Sequence, residues 1–237
     1  MSTSGSPSRL QRLARPRLYE QLVEQLVHYM ETEGLGMGDR LPSERDLAEQ
    51  LGVSRATLSQ ALVALEVLGV IDVQHGTGAT IIARPTLAAV IQGFREHHRR
   101  LPDIIEARST LEVKLASLAA GRRTDTDLVS IDAALSAMAA EIAAGARGVA
   151  GDELFHSAVT AAAHSSVLAT MMGLIHEMVL ETRIESLGQP GRPEQSLASH
   201  RSIAEAIRDG DADAAAEAMK RHIRLVSELA LLADDAS

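Results

Sequence analysis

The 237-residue chain predicts a mainly α-helical protein: an N-terminal winged helix-turn-helix of three helices plus a β-hairpin, joined to an all-helical bundle. Three observations predict it. Apolar residues recur at helical spacing in three capped segments up to Gly69. The period then changes to alternation over 70–82. Beyond Arg84-Pro85 the spacing is helical throughout, with no strand signal. The expected organisation is a flexible basic tail over 1–16, the winged helix-turn-helix over 17–84 and the helical domain over 85–237.

Each element has its own signal. The tail is rich in Ser, Pro, Gly and Arg, a composition that cannot bury a core. From Leu18, the stripe Leu22, Val23, Leu26 and Met30 makes a first helix, ended by Gly34 and Gly36. Ser43 with Asp46 three residues on makes a capping box for a short second helix, stopped at Gly52. Ser54 caps a third helix carrying Leu58, Ala61, Leu62, Leu65 and Leu68, stopped at Gly69. Next, Val70, Asp72 and Gln74 interleave with Ile71 and Val73, Gly76-Thr77-Gly78 turns the chain, and Thr80-Ile81-Ile82 returns. Pro85 disfavours helix in the residue before it and marks the boundary. The bundle is expected as helices over about 87–98, 103–121, 125–144, 150–164, 166–187, 195–209 and 212–233.

Composition narrows the function. Hydrophobic residues at 46% and charged residues at 23% describe a globular chain. No apolar run is long enough for a bilayer and the N-terminus lacks a signal-peptide core, so a soluble cytoplasmic protein with no membrane partner is expected. The absence of cysteine excludes disulfides, thiolate zinc sites and thiol nucleophiles. Residues 1–84 carry 8 basic against 10 acidic side chains and the remainder 15 against 22, so neither half is a basic domain. Contact with nucleic acid would rest on local patches, since charges act over about 10 Å. Arg9, Arg12, Arg15 and Arg17 form one such patch, which reads equally as a solvated tail.

A short helix, a tight turn at Gly52-Val53 and a longer helix is how a recognition helix is presented to the major groove of double-stranded DNA. Opposite the stripe Leu58, Leu62 and Leu65 lie Arg55, Ala56, Thr57, Ser59 and Gln60, near a helix start suited to phosphate. Arginine forks onto guanine and glutamine onto adenine. An ordinary polar surface helix has the same pattern. The series Leu41-Pro42-Ser43-Glu44-Arg45, Leu51-Gly52-Val53-Ser54-Arg55, Leu65, Gly69 and His75-Gly76-Thr77-Gly78 resembles the GntR family of regulators over nearly all of 17–83. The resemblance implies DNA contacts from Arg45, Ser54, Arg55 and Thr57, with Gln60 beside them and His75-Gly76 in a wing near the minor groove. Ser59 departs from the arginine common there, so an operator sequence does not carry over.

In the second half, Asp152 and His156 are four residues apart, on the face continued by Val159 and Ala163. His200 shares a stripe with Leu197, Ile203 and Ile207, and His222 with Met219, Val226 and Leu229. Hard polar groups aimed into an apolar bundle need partners. Any one of them reads as a satisfied core residue; four together suit a shared divalent ion, zinc first and nickel, cobalt or manganese after it. Arg108, in the stripe Ile104, Leu111 and Leu115, also points inward, toward an organic acid or an intrahelical pair with Glu112. Arg183 is a second candidate for the acid, on a face the spacing leaves ambiguous, and His164 sits in a short turn where it reaches a ligand or caps a helix. His176 reads as a core or interface residue, and His97 and His98, near Arg95, Arg99 and Arg100, as a solvated basic segment.

Asp152-x-x-Phe155-His156 and His200-x-x-Ile203 through Met219-x-x-His222, with Arg108 and Glu112 upstream, resemble the FCD-type ligand domain of the FadR-like GntR branch. That resemblance implies Asp152, His156, His200 and His222 as metal ligands, a small carboxylate effector (lactate-, glycolate-, gluconate- or citrate-like) and a homodimer on a pseudo-palindromic operator. Two alternatives remain at this level. A metal-sensing repressor would use the ion as its signal, and a metalloenzyme would need a general base, for which Glu112 and His164 are the only candidates.

Overall fold

The computed structural model describes residues 18–74 and 78–228. In order, the described elements are α1 (Leu18–Thr32), α2 (Glu44–Leu51), α3 (Arg55–Val67), β1 (Ile71–Gln74) and β2 (Gly78–Ile81), then α4 (Leu87–Arg122) and α5 (Asp125–Ala143). There follow α6 (Val149–Ala162), α7 (Ser166–Leu174), α8 (His176–Leu187), α9 (Arg192–Asp209) and α10 (Ala212–Glu228). The tail arginines Arg9, Arg12, Arg15 and Arg17 and the wing residues His75 and Gly76 lie outside the described residues. Among those described, no helix is long and apolar enough to cross a membrane.

The head, α1 to β2, forms where its caps and periods direct. Ser43 Oγ accepts the Asp46 amide at 3.2 Å and Ser54 Oγ the Thr57 amide at 3.1 Å, each satisfying a donor that a helix start leaves free. Gly52 closes α2 at φ 64°, a left-handed value that side chains with a β-carbon resist. The hairpin is antiparallel, with Ile71 opposite Ile81 and Gln74 opposite Gly78. Leu22, Leu26, Leu58, Leu62, Ile71 and Ile81 meet in one core. Burial of each such side chain contributes about 1.5–3 kcal/mol.

Three features of the helical half depart from the local pattern. The helices expected over 87–98 and 103–121 are one 36-residue helix, α4, with Pro102 inside it. The proline faces outward, while Leu101 and Ile104 beside it are buried. Burial on both sides of the missing hydrogen bond keeps the chain helical through it. The helix expected over 166–187 is broken at Ile175, where φ −105° and ψ 7° leave the helical basin and separate α7 from α8. His97 is not solvated: only 1% of it is exposed. The basic neighbours mark the outer face of α4, and His97 belongs instead to the inward stripe of Val90, Phe94, Leu101 and Ile104.

In the bundle, α5 packs on α6, and α4 packs on α6, α9 and α10. Small residues let these helices approach. Gly151 of α6 sits where a β-carbon would lie 2.3 Å from the Met138 Cα of α5. Ala116, Ala119 and Ala120 of α4 are fully buried in a core with Phe155, Ile203 and Met219. This close packing brings α4, α6, α9 and α10 to a common centre.

Candidate metal centre and nucleic-acid face

Asp152 and His156 stand one turn apart on α6; His200 comes from α9 and His222 from α10. Each offers one ligand atom, and the four atoms all lie within 4.8 Å of one another. All four residues are at most 4% exposed. The local reason is the i,i+4 spacing on α6 together with two histidines set in apolar stripes, so packing the helices drives them together. Phe155 stacks on His200 with ring centroids 4.2 Å apart, fixing one wall of the centre.

Asp152 anchors the geometry. His200 Nε2 is 3.5 Å from its Oδ1, and His156 Nε2 is 3.8 Å from its Oδ2. Ser196 Oγ donates to Oδ1 at 3.3 Å. Around this lies a ring of charge. Arg108 donates from Nε to Glu112 at 2.8 Å and from NH1 to Thr182 at 2.7 Å. Glu112 Oε2 lies 2.5 Å from His156 Nδ1, and Arg183 Nε lies 3.1 Å from Asp152 Oδ2. The last two are close contacts without hydrogen-bond alignment, because all four of those atoms lack an aligned partner.

The electrostatics keep these donors in a form that can ligate. Burial pushes His200 down to about 3, against the pull of Asp152, and burial with the neighbouring histidines holds His222 well below its ordinary range. Burial alone would raise Asp152, but His156, His200 and Arg183 together keep its carboxyl low. The centre therefore presents neutral imidazole lone pairs at His200 and His222 beside an ionised carboxylate. Both ring nitrogens of His200 and His156, and Nδ1 of His222, are buried without aligned hydrogen bonds. Such orphaned groups cost free energy, and an Asp/His₃ donor set of this kind fits a divalent ion.

Of the residues expected at the acid, Arg108 and Arg183 reach this centre and His164 does not. Arg183 resolves to an inward face, 5% exposed. His164 sits at φ 45° after α6, half-exposed, with Nε2 2.8 Å from Asp127 in the capping box of α5. His176 is also partly exposed, 3.3 Å from Glu153. A cleft of about 320 Å³ opens beside the centre, lined by His156, Ser157, Met172, His176 and Arg183 among others. That is the lower end of the size range for small-ligand pockets. Thr182 and Ser196 carried no sequence signal; Glu112 did, through its i,i+4 spacing from Arg108.

On the head, Ser54 and Arg55 open α3 on its exposed side, and Thr57 and Gln60 are half-buried on the following turn. Ser54 Oγ and Thr57 Oγ1 are 2.7 Å apart. Arg45 is free in solvent, with 82% of its side chain exposed and only a 3.5 Å contact to Asp46. Arg55 and Arg45 are thus available to an anionic partner.

A helix-turn-helix head with an exposed arginine-led helix, carried on a bundle with a buried donor cluster, defines a regulator with a sensing domain. The comparisons agree. Residues 18–81 match the model for bacterial regulatory proteins of the gntR family, and residues 103–225 match the FCD domain. The chain belongs to the GntR family and carries an FCD domain. A regulator assigned to the L-lactate dehydrogenase operon of Escherichia coli (strain K12) is 33% identical over 221 residues, covering 89% of this chain and 85% of that protein. The transcriptional repressor NanR of Citrobacter rodentium is 27% identical, covering 94% and 89%. Regulator Rv0494 of Mycobacterium tuberculosis is 52% identical over 44 residues, and there the chain spans only 18% of the relative's length. Among solved structures, that of Lar, which controls expression of the Listeria monocytogenes agr system, has TM-score 0.50 at 17% identity over 92% of this chain and 98% of that one, a likeness of fold. These relatives are transcription regulators, which sets the metalloenzyme alternative aside.

Proposed function

We propose that this chain is a cytoplasmic, homodimeric transcription regulator whose binding to a pseudo-palindromic operator is set by a small carboxylate at a divalent-metal site. The observation that carries it is the convergence of Asp152, His156, His200 and His222 within 4.8 Å in a buried centre. Zinc is the ion the donor set suits best, and when bound it supplies a Lewis-acidic point for a carboxylate oxygen. This chain's own part is to hold Asp152 ionised, to keep the His200 and His222 imidazoles neutral, and to offer the Arg183 guanidinium at the cleft. A relative tied by name to an operon for L-lactate dehydrogenase supports a small acid as the cue. At the head, Arg55 with Ser54, Thr57, Gln60 and Arg45 forms the proposed DNA face, and the family resemblance adds His75 and Gly76 as further contacts.

A thermal-shift screen of small acids on zinc-loaded protein, repeated on His200→Ala, tests this. An acid that stabilises the wild type and not the variant, and that shifts operator binding, is expected. Acids that leave the wild type unmoved while zinc alone changes operator binding would favour the second reading, a metal-sensing repressor. One observation supports that second reading: Arg108 is already engaged by Glu112 and Thr182, leaving only NH2 without a partner.

A further inference from the structure

The head and the bundle are joined by more than the chain at Pro85. Arg147, in the short connection between α5 and α6, points its NH2 at both carboxylate oxygens of Glu66, at 2.7 and 2.6 Å. Glu66 is the penultimate residue of α3, at the opposite end of that helix from Arg55. The pair is sheltered, with side chains 23% and 11% exposed. Beside it, Val63 of α3 abuts the end of α8 so closely that a β-carbon on Gly188 would lie 2.4 Å from Val63 Cγ2. Ile184 of α8 packs into the head's own core. The last turns of α3 therefore sit in a socket built by the α5–α6 connection and the end of α8.

We propose that the Glu66–Arg147 pair is the joint by which the bundle fixes the direction of the recognition helix. The two residues sit on the elements that matter at each end. Glu66 is on the rigid helix that presents Arg55. Arg147 lies two residues before α6, which carries Asp152 and His156. The stretch between is not slack. Gly148 at φ 73° nests against Met138 and Ile142, and Gly151 against the Met138 backbone, so Arg147 moves with the start of α6. Separating a sheltered carboxylate from its cation is costly: burial raises Glu66, and Arg147 is the largest influence opposing that rise. The joint thus holds only while the α5–α6 connection faces the end of α3. This inference rests on the head reading DNA and needs neither the metal nor the acid.

The test uses full-length protein and a duplex selected in vitro from random sequences by the wild type. Glu66→Arg and Arg147→Glu are compared with the swapped double variant, which restores attraction with the charges exchanged. Each single reversal is expected to change affinity for that duplex by more than threefold, and the swap to return it within threefold. Single variants that bind like the wild type, or a swap that stays as far off as the singles, would overturn the joint. Helix content by circular dichroism identifies a variant that fails to fold, and Glu66→Gln with Arg147→Gln then replaces it under the same criterion for single variants. Zinc content measured on every variant separates loss of the joint from loss of the metal centre.

Discussion

His97 shows what a single residue can conceal. Its Nδ1 and Nε2 lie 3.1 Å from Glu181 and 3.1 Å from Glu185, two acceptors one turn apart on α8, so both nitrogens must carry protons. Burial would lower its pKa, but the two glutamates override this and raise it from 6.5 to about 9. A raised folded value stabilises fully below pH 6.5, and that stability is lost as pH climbs through 9. Over that window the loss is about 3 kcal/mol. Urea unfolding of the wild type and His97→Gln at both ends of the window should show the variant less stable at the low end and the gap closing toward the high end. Parallel curves would refute a buried imidazolium. The sequence reading failed here because neighbouring arginines dominated a local window, whereas the carboxylates come from residues more than eighty positions away. Asp152, His156, His200 and His222 were legible for the converse reason: each breaks an apolar stripe on its own helix. At the proposed DNA face, Arg55→Ala should weaken operator binding by about 1–3 kcal/mol if the guanidinium grips a base. A salt-controlled shift assay measures this, and unchanged affinity would remove Arg55 from the reading set.

Among elements, the capped helices and hairpin of the head were readable because their start, stop and period signals are local. The helical half was readable as helices but not in its breaks. Pro102 signals an end that buried Leu101 and Ile104 override, while Ile175 breaks the chain without any proline or glycine at that position. The α5–α6 contact gives a sharper prediction. With a β-carbon 2.3 Å from Met138 Cα, Gly151→Ala must push α6 away from α5. Destabilisation of about 1–3 kcal/mol is expected from overpacking. Because Asp152 is the next residue, the zinc-dependent part of the thermal shift should shrink as well. A variant that melts like the wild type, with its zinc response intact, would show that α6 tolerates the displacement and that Asp152 is not held by this contact.

For the molecule as a whole, the sequence identified the two working parts but not how one bears on the other, since Glu66 and Arg147 are 81 positions apart and neither belongs to a periodic signal. A homodimer on a pseudo-palindrome should protect two half-sites about 34–36 Å apart, one helical turn, in a footprint of the selected duplex. A single protected half-site would argue for a monomer on DNA. Sensing, however, depends on the buried cluster. Equilibrium dialysis against zinc, followed by elemental analysis, measures it directly. About one ion retained per wild-type chain, and almost none on Asp152→Ala/His200→Ala, is the expected result. A wild type that emerges free of zinc, or a double variant that keeps as much, would contradict it.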